Sequence, residues 1–159
     1  MSTESLTAYE RLEIALRYAV PILKDLEGIL GEDVLRGALE TRRQQRIEAA
    51  RANAVPVSDL EGHREGLARG FEAFAAGDIL DYDVIASDAA SFDADVKACG
   101  YARLMTELDA RELGSILVCG EDDVWAAGTG LRLERTQTHM RDGRPCDFRF
   151  RPAMTEAQE

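Results

Sequence analysis

Arg135–Phe150, RTQTHMRDGRPCDFRF, is the stretch whose reading decides the fold. Thr136, Gln137 and Thr138 precede the dipeptide Asp142-Gly143, and Cys146, Phe148 and Phe150 alternate with polar residues after it. Asp-Gly is the preferred centre of a two-residue type I′ turn, in which both central residues take positive φ and the twist matches that of the flanking strands. The spacing therefore predicts a β-hairpin with Arg141 opposite Arg144, His139 opposite Cys146, Gln137 opposite Phe148 and Arg135 opposite Phe150. Because side chains alternate with a period of two, Leu133, Arg135, Gln137, His139, Cys146, Phe148 and Phe150 share one face. An apolar face that also carries Arg, Gln, His and Cys has the composition of a pocket wall.

Upstream, the hydrophobic period is helical. Thr7-Ala8-Tyr9-Glu10 has the form of a capping box, and Leu12, Ala15, Leu16, Ala19, Leu23, Leu26 and Leu30 follow at helical spacing. Pro21 falls inside that pattern and is expected to kink or divide the helix, since it lacks an N–H and crowds the carbonyl four residues earlier. Gly31 ends it, and Asp33 to about Ala52 forms a second helix. Arg42, Arg43, Arg46 and Arg51 there alternate with Glu40 and Glu48, which points to a solvated face rather than an anion site. Ser58-Asp59-Leu60-Glu61 is a second capping box and opens a third helix with Leu60, Leu67, Phe71 and Phe74 inward, closed by Gly77.

The period then changes. Leu80, Tyr82 and Val84 alternate with polar residues, as do Phe92, Ala94, Val96 and Ala98, so two strands are predicted with their turn at Asp88–Ser91. Gly100 to about Leu108 and Arg111 to about Trp125 are two further helices, and Gly128 and Gly130 release the chain toward the hairpin. The order is three helices, two strands, two helices, two strands. That segregation predicts an α+β fold, N-terminal helices packed on an antiparallel sheet of about four strands. A chain of 159 residues suits a single domain, with a helical half over 1–77, a mixed half over 78–152 and a tail over 153–159.

Composition excludes several functions. A formal net charge of −11 argues against a nucleic-acid partner, whose binding needs a basic footprint. No apolar run approaches the roughly 18 residues of a membrane span, and MSTESLTAYERLE lacks the regions of a signal peptide, so the expected location is the cytoplasm. The three cysteines are odd in number and widely spaced, which fits reduced thiols. Small-molecule chemistry remains, with a homo-oligomer left open and no cofactor expected.

Cys119 and Asp122 are three apart on a predicted helix and share a face, with Asp123 as a second candidate. Cys119 either packs with Ile116 and Leu113 or does chemistry. Cys146 is either a small apolar core residue or a thiol activated by the imidazole of His139. Cys99, at a strand-to-helix junction, is better placed for packing. A Cys₃His site from Cys99, Cys119, His139 and Cys146 would lack the close Cys-x-x-Cys pairs that anchor zinc, so no metal is expected.

Cys99-Gly100-Tyr101, Cys119 with Asp122, and the run from Gly143 to Phe150 together resemble the L-2-amino-thiazoline-4-carboxylic acid hydrolase family, over roughly the C-terminal half of the chain. His139 departs from the family pattern, which commonly has an apolar residue there. The resemblance implies hydrolysis at the C=N carbon of a cyclic amidine, opening a thiazoline ring to an N-carbamoyl amino acid. Such a reaction needs a nucleophile, a proton shuttle and a cation for the substrate carboxylate. Cys119, Cys146 or a water activated by Asp122 would attack, and Asp122 or His139 would move the proton. Arg135 would hold the carboxylate by its planar fork, with Gln137, Cys99 and Tyr101 completing the substrate-binding set. Arg149 is the other candidate anchor, but by alternation it lies on the opposite face with Asp147 and Arg151, where Glu134 and Arg151 would pair across strands. A related ring-processing enzyme of a biosynthetic pathway, or a small-molecule binding domain without chemistry, would show the same pocket face.

Overall fold

The computed structural model describes residues 5–153, and its first helix begins at the predicted capping box. The Thr7 hydroxyl accepts from the Glu10 N–H at 3.1 Å while the Glu10 carboxylate accepts from the Thr7 N–H at 2.7 Å. From there α1 (Ala8–Leu30) turns Leu16 and Val20 inward. Pro21 does not divide it. Its ring stands on the exposed side, where water can meet the carbonyl it leaves unbonded. Gly31 separates α1 from α2 (Glu32–Ala52).

The third helix starts later than its sequence signal. Asp59 caps only a turn, accepting from the Glu61 N–H at 3.0 Å. The Leu60 N–H donates to the Ala89 carbonyl at 2.8 Å, so this residue is drawn into the core by the β1–β2 turn instead of opening a helix. Helix α3 (Arg64–Ala75) follows. It buries Leu67 and Phe71, but Phe74, expected inward, is half exposed.

Four strands make the sheet: β1 (Leu80–Ser87), β2 (Phe92–Cys99), β3 (Leu131–Glu134) and β4 (Cys146–Pro152). Their spatial order is β1-β2-β4-β3 with every neighbouring pair antiparallel. This is the α+β class. Phe92, Ala94 and Val96 bury the inner face of β2 while Asp93, Asp95 and Lys97 alternate outward. In β1 two register shifts break the alternation and leave Val84 exposed with Ile85.

Between the strands lie α4 (Gly100–Glu107), α5 (Arg111–Leu117) and α6 (Cys119–Gly128), with the single turn α7 (His139–Asp142) between β3 and β4. The helix expected over 111–125 is thus two, broken at Val118, whose φ of −110° and ψ of −68° leave the helical path. Two cores result. One packs Leu60, Leu67 and Phe71 on Phe92, Val96 and Phe150; the other packs Leu16 and Val20 of α1 on Leu104, Met105 and Met140. Cys99 touches both.

The predicted hairpin is replaced by β3, a loop, α7 and β4. Thr138 accepts from the Arg141 N–H at 3.0 Å, the Asp142 carboxylate accepts from the Thr138 N–H at 3.1 Å, and Gly143 closes the turn at φ 70°. The left-handed conformation that Gly143 supplies serves a helix end as well as a hairpin turn, and the Thr138–Asp142 contacts select the helix end. Leu133 lies opposite Phe150, and Glu134 opposite Arg149. The shift is by two residues, so the predicted shared face survives for Leu133 while Gln137 and His139 leave the ladder. The expected Glu134–Arg151 pairing is also replaced, because Arg151 reaches Asp93 on β2 and Glu134 pairs with Arg132 at 3.0 Å. The expected C-terminal tail lies, from residue 154, outside the described residues. Among the described residues no helix is long and apolar enough to cross a membrane.

The helical turn makes a testable difference. Thr138 is a buried N-cap, so Thr138→Ala should cost about 1 kcal/mol in urea denaturation, as should Gly143→Ala at its left-handed position. In a two-residue hairpin Thr138 would be a strand residue and its truncation would cost a few tenths of a kcal/mol.

Candidate active site

The first turn of α6, Cys119-Gly120-Glu121-Asp122-Asp123, carries three consecutive acids next to the positive end of the helix dipole, where carboxylates are stabilised. The shortest ion pair of each acid goes to a different arginine, and Asp123 also lies 3.6 Å from Arg135. Glu121 pairs with Arg46 of α2 at 2.7 Å and Asp123 with Arg43 of α2 at 2.9 Å. Asp122 pairs with Arg135, just past β3, at 2.8 Å. Two of the four α2 arginines expected on a solvated face are therefore inter-helix ties, a pairing that only the fold reveals. Gly120 permits it: a Cβ there would stand 2.6 Å from Cδ of Arg43.

Arg135 points inward, as the sequence predicts, and its side chain is only 9 % exposed. Nη1 donates to Asp122, Nη2 donates to the Cys119 carbonyl at 2.8 Å, and the guanidinium lies 4.9 Å over the ring of Phe148. Its fork, expected to hold a substrate carboxylate, holds Asp122. Behind it Asp147 fixes the turn of the chain, accepting from Thr136 Oγ1 at 2.6 Å and from the N–H groups of Thr136 and Gln137 at 2.9 Å each. Burial opposes ionisation of Asp147, but these bonds outweigh it and hold its carboxyl below the ordinary value. Gln137 thus enters through its backbone. Sequence alternation placed Phe148 on the face of Arg135 but not under its guanidinium, and it gave no sign that Asp147 would hold residues 136 and 137.

All three cysteines are free thiols. Cys146 is buried, and its Sγ accepts from the His139 N–H at 3.3 Å. The imidazole expected beside this thiol turns elsewhere, with Nε2–H donating to the Val96 carbonyl at 3.0 Å. Because His139 opens α7 instead of lying in the ladder, it meets the sulfur through its backbone N–H. Cys99 caps α4, accepting from the Ala102 N–H at 3.4 Å. Tyr101 is buried, donates its hydroxyl to the Phe74 carbonyl at 3.3 Å and meets Tyr9 edge to face.

Electrostatics link these groups. Burial pushes the Cys119 thiol up to about 12, with Arg135 pulling down and Asp122 pushing up. Burial likewise lifts Cys146 to about 11, Tyr101 to about 12, and Cys99 above its ordinary value. Crowding raises the Asp122 carboxyl to about 6, against the pull of Arg135 and with a further push from Asp123; its side chain keeps 40 % of its surface, so water reaches it. Cys119 and Cys146 therefore each lie within electrostatic reach of Cys99, Asp122 and Arg135, and Tyr101 feels Cys99 and Asp122. His139 touches the set through its backbone only.

Of two cavities, the first borders this set through Asp123 and the second lies apart from it. A cleft of 460 Å³ opens between Arg43, Ile47, Asp123, Leu131 and Leu133, and one of 320 Å³ between Lys24, Arg36 and Arg111. Neither is lined by a thiol, so the chemistry of the side chains, not cavity size, locates the candidate site. Among the described residues no group of three or more His, Cys, Asp or Glu is placed to hold a metal ion.

The pattern of the L-2-amino-thiazoline-4-carboxylic acid hydrolase family matches residues 12–150. The chain belongs to that family. Its coarse class is therefore that of the hydrolases the family is named for, and its match takes in the N-terminal helices as well as the cysteine motifs. No curated protein and no solved structure matches it significantly.

Arg135 meets two carboxylates, a carbonyl and an aromatic ring from a nearly dry position, so Arg135→Met should lose about 3 kcal/mol in denaturant titration at pH 7. Asp122→Asn keeps an acceptor for Nη1 and removes a charge that its surroundings disfavour, so it should leave the midpoint nearly unchanged.

Proposed function

We propose that this family member opens a small cyclic amidine or thiazoline carboxylate at the Asp122–Cys119–Arg135 cluster. The observation that carries this is convergence. The Cys-Gly-Tyr element at Cys99–Tyr101, the Cys119–Asp122 pair and the Cys146–Phe148 segment are far apart in sequence, and the reading is supported by Arg135 joining Asp122, the Cys119 carbonyl and the Phe148 ring, with Cys99 packed where the two cores meet. Asp122 is the base. A carboxyl raised to about 6 is ionised at neutral pH yet basic enough to take a proton from an attacking group.

For a 2-aminothiazoline carboxylate the step balances with one water. Water oxygen bonds to the C=N carbon and becomes the urea carbonyl, the bond from that carbon to ring sulfur breaks, and the two water protons end on ring nitrogen and sulfur. Asp122 carries the first of these protons between sites. Arg135 holds Asp122 in place and offers positive charge to an acidic substrate. Water rather than a thiol attacks in this reading, because a Cys119 thiol lifted to about 12 leaves little thiolate at neutral pH. Covalent attack by Cys119, partly buried and on the face of Asp122, is the second reading.

Purified protein incubated with 2-aminothiazoline carboxylates, other cyclic amidines and lactams should convert a thiazoline or amidine to a product heavier by one water. Asp122→Asn should lower kcat/KM at least about a hundredfold with the fold intact, and Cys119→Ser less than about tenfold. If Cys119→Ser is the inactive variant and a substrate adduct forms on Cys119, the covalent route holds. Tight binding of a ring substrate without turnover would instead mark a non-catalytic binding domain.

The sign of the pH dependence follows from Asp122. Its folded value lies above its ordinary 3.8, so the folded chain holds this proton between about 4 and about 6 where the unfolded chain has lost it. Its contribution to stability is present below about 4 and lost as pH rises through about 6. Activity should run the other way, rising through an apparent value near 6 as the base ionises, and Asp122→Asn should flatten that limb in a kcat/KM profile.

A further inference from the structure

The outer side of α1 bears apolar residues that the fold leaves uncovered: Ile14 is 60 % exposed, Tyr18 75 %, Ile22 46 %, Leu26 38 % and Ile29 78 %. Spacings of three and four keep them on one stripe, opposite the buried Leu16 and Val20. At about 200 Å² for a full large side chain these fractions come to roughly 600 Å², the upper end of what a monomer exposes and most of one side of a standard interface.

The stripe is self-complementary. In a two-fold contact each residue of one patch meets its counterpart on an identical patch, and an antiparallel helix pair centred on Tyr18 brings together residues equally spaced before and after it. Tyr18 then meets Tyr18 of the second copy. Four residues out, Ile14 meets Ile22; three residues out, the small Ala15 meets the exposed Pro21, which lets the helices approach. Seven residues out, the cation Arg11 meets the anion Asp25, and both are exposed. In this register Ile14, Tyr18 and Ile22 meet apolar partners and opposite charges meet at the rim, while Leu26 and Ile29 lie toward the ends of the contact, opposite Glu10 and Thr7. A lipid surface fits less well, since a net charge of −11 is repelled by anionic headgroups.

We infer that the occupant of this face is a second copy of the chain, docked antiparallel through α1 with Tyr18 on the two-fold axis. Ile14 and Ile22 form its core, and two Arg11–Asp25 pairs set its register. The contact lies on the face of α1 turned away from the buried Leu16 and Val20, so activity and assembly can be measured separately.

Sedimentation velocity from about 1 to about 200 μM should show a monomer–dimer equilibrium with Kd on the order of micromolar. Tyr18→Glu should be monomeric throughout with an unchanged far-ultraviolet circular dichroism spectrum. Arg11→Glu and Asp25→Arg each place like charges opposite one another twice per dimer and should weaken association roughly tenfold. Both swaps suit the helix dipole, so neither should unfold α1. The double variant restores both pairs and should recover wild-type affinity to within about threefold. A monomer at every concentration overturns the inference, as does a dimer indifferent to Tyr18→Glu. Single swaps that weaken the dimer without rescue overturn the register, and a monomer that adsorbs to phosphatidylcholine vesicles through α1 assigns the face to lipid instead.

Discussion

The pairing of Asp122 with Arg135 is the interaction on which the site depends. A guanidinium with 9 % of its side chain exposed would be expensive in isolation, and this one is compensated by a carboxylate, a carbonyl and an aromatic face at once. The three partners come from two elements: Asp122 and the Cys119 carbonyl from α6, and the Phe148 ring from β4. Arg135 therefore joins the start of a helix to the sheet, and Asp147, gripping residues 136 and 137 from the outer face, prevents the joining segment from turning away. Arg135 thus ties the α6 terminus to Phe148, while Arg43 and Arg46 tie it to α2.

Charge in this chain is mostly structural. With 30 acidic residues against 19 basic ones it could leave its carboxylates to water, yet those nearest the site are tied. The three acids of α6 spread over Arg46, Arg135 and Arg43, so one helical turn is braced from α2 on one side and from the sheet on the other. The outer face of the sheet repeats the device, Asp95 with Arg149 and Asp93 with Arg151. Partly exposed pairs add little to stability one by one. Their value here is geometric, since they permit one orientation of α6 and not its neighbours.

What could be read from the sequence was what local physics controls. The Thr7–Glu10 box, the alternation of Phe92, Ala94 and Val96 against Asp93 and Asp95, and the inward direction of Arg135 all follow from period and capping, and the structure has them. The hairpin failed because a glycine at positive φ ends a helix as readily as it turns a hairpin; the deciding contacts, Thr138 with Arg141 and Asp142, are hydrogen bonds that spacing does not rank. Arg43 and Arg46 looked solvated because their partners are some 75 to 80 residues away. The cysteine motifs were legible as a family signature, but not what each sulfur touches. His139 illustrates the gap, adjacent to Cys146 as expected and yet bonded to it by its backbone.

The site groups share a position type: Cys99 lies at the β2–α4 junction, Cys119 at the α5–α6 break, Arg135 just past β3 and Cys146 at the start of β4. The Ala102 N–H is one of the free donors in the first turn of α4 and so finds Cys99 Sγ, while the Cys119 carbonyl at the start of α6 has a second lone pair for Arg135. Converging four junctions brings a few mutually bonded polar groups into a place otherwise lined by Phe148 and buried sulfur. Low polarity there keeps the thiols protonated and the Asp122 carboxyl reluctant to ionise, and the same reluctance makes it a better proton acceptor once it has done so. The burial that weakens the fold at Asp122 is thus the burial that would make it a base, and Arg135 sets the balance by keeping the charged form accessible at neutral pH without relieving its strain entirely.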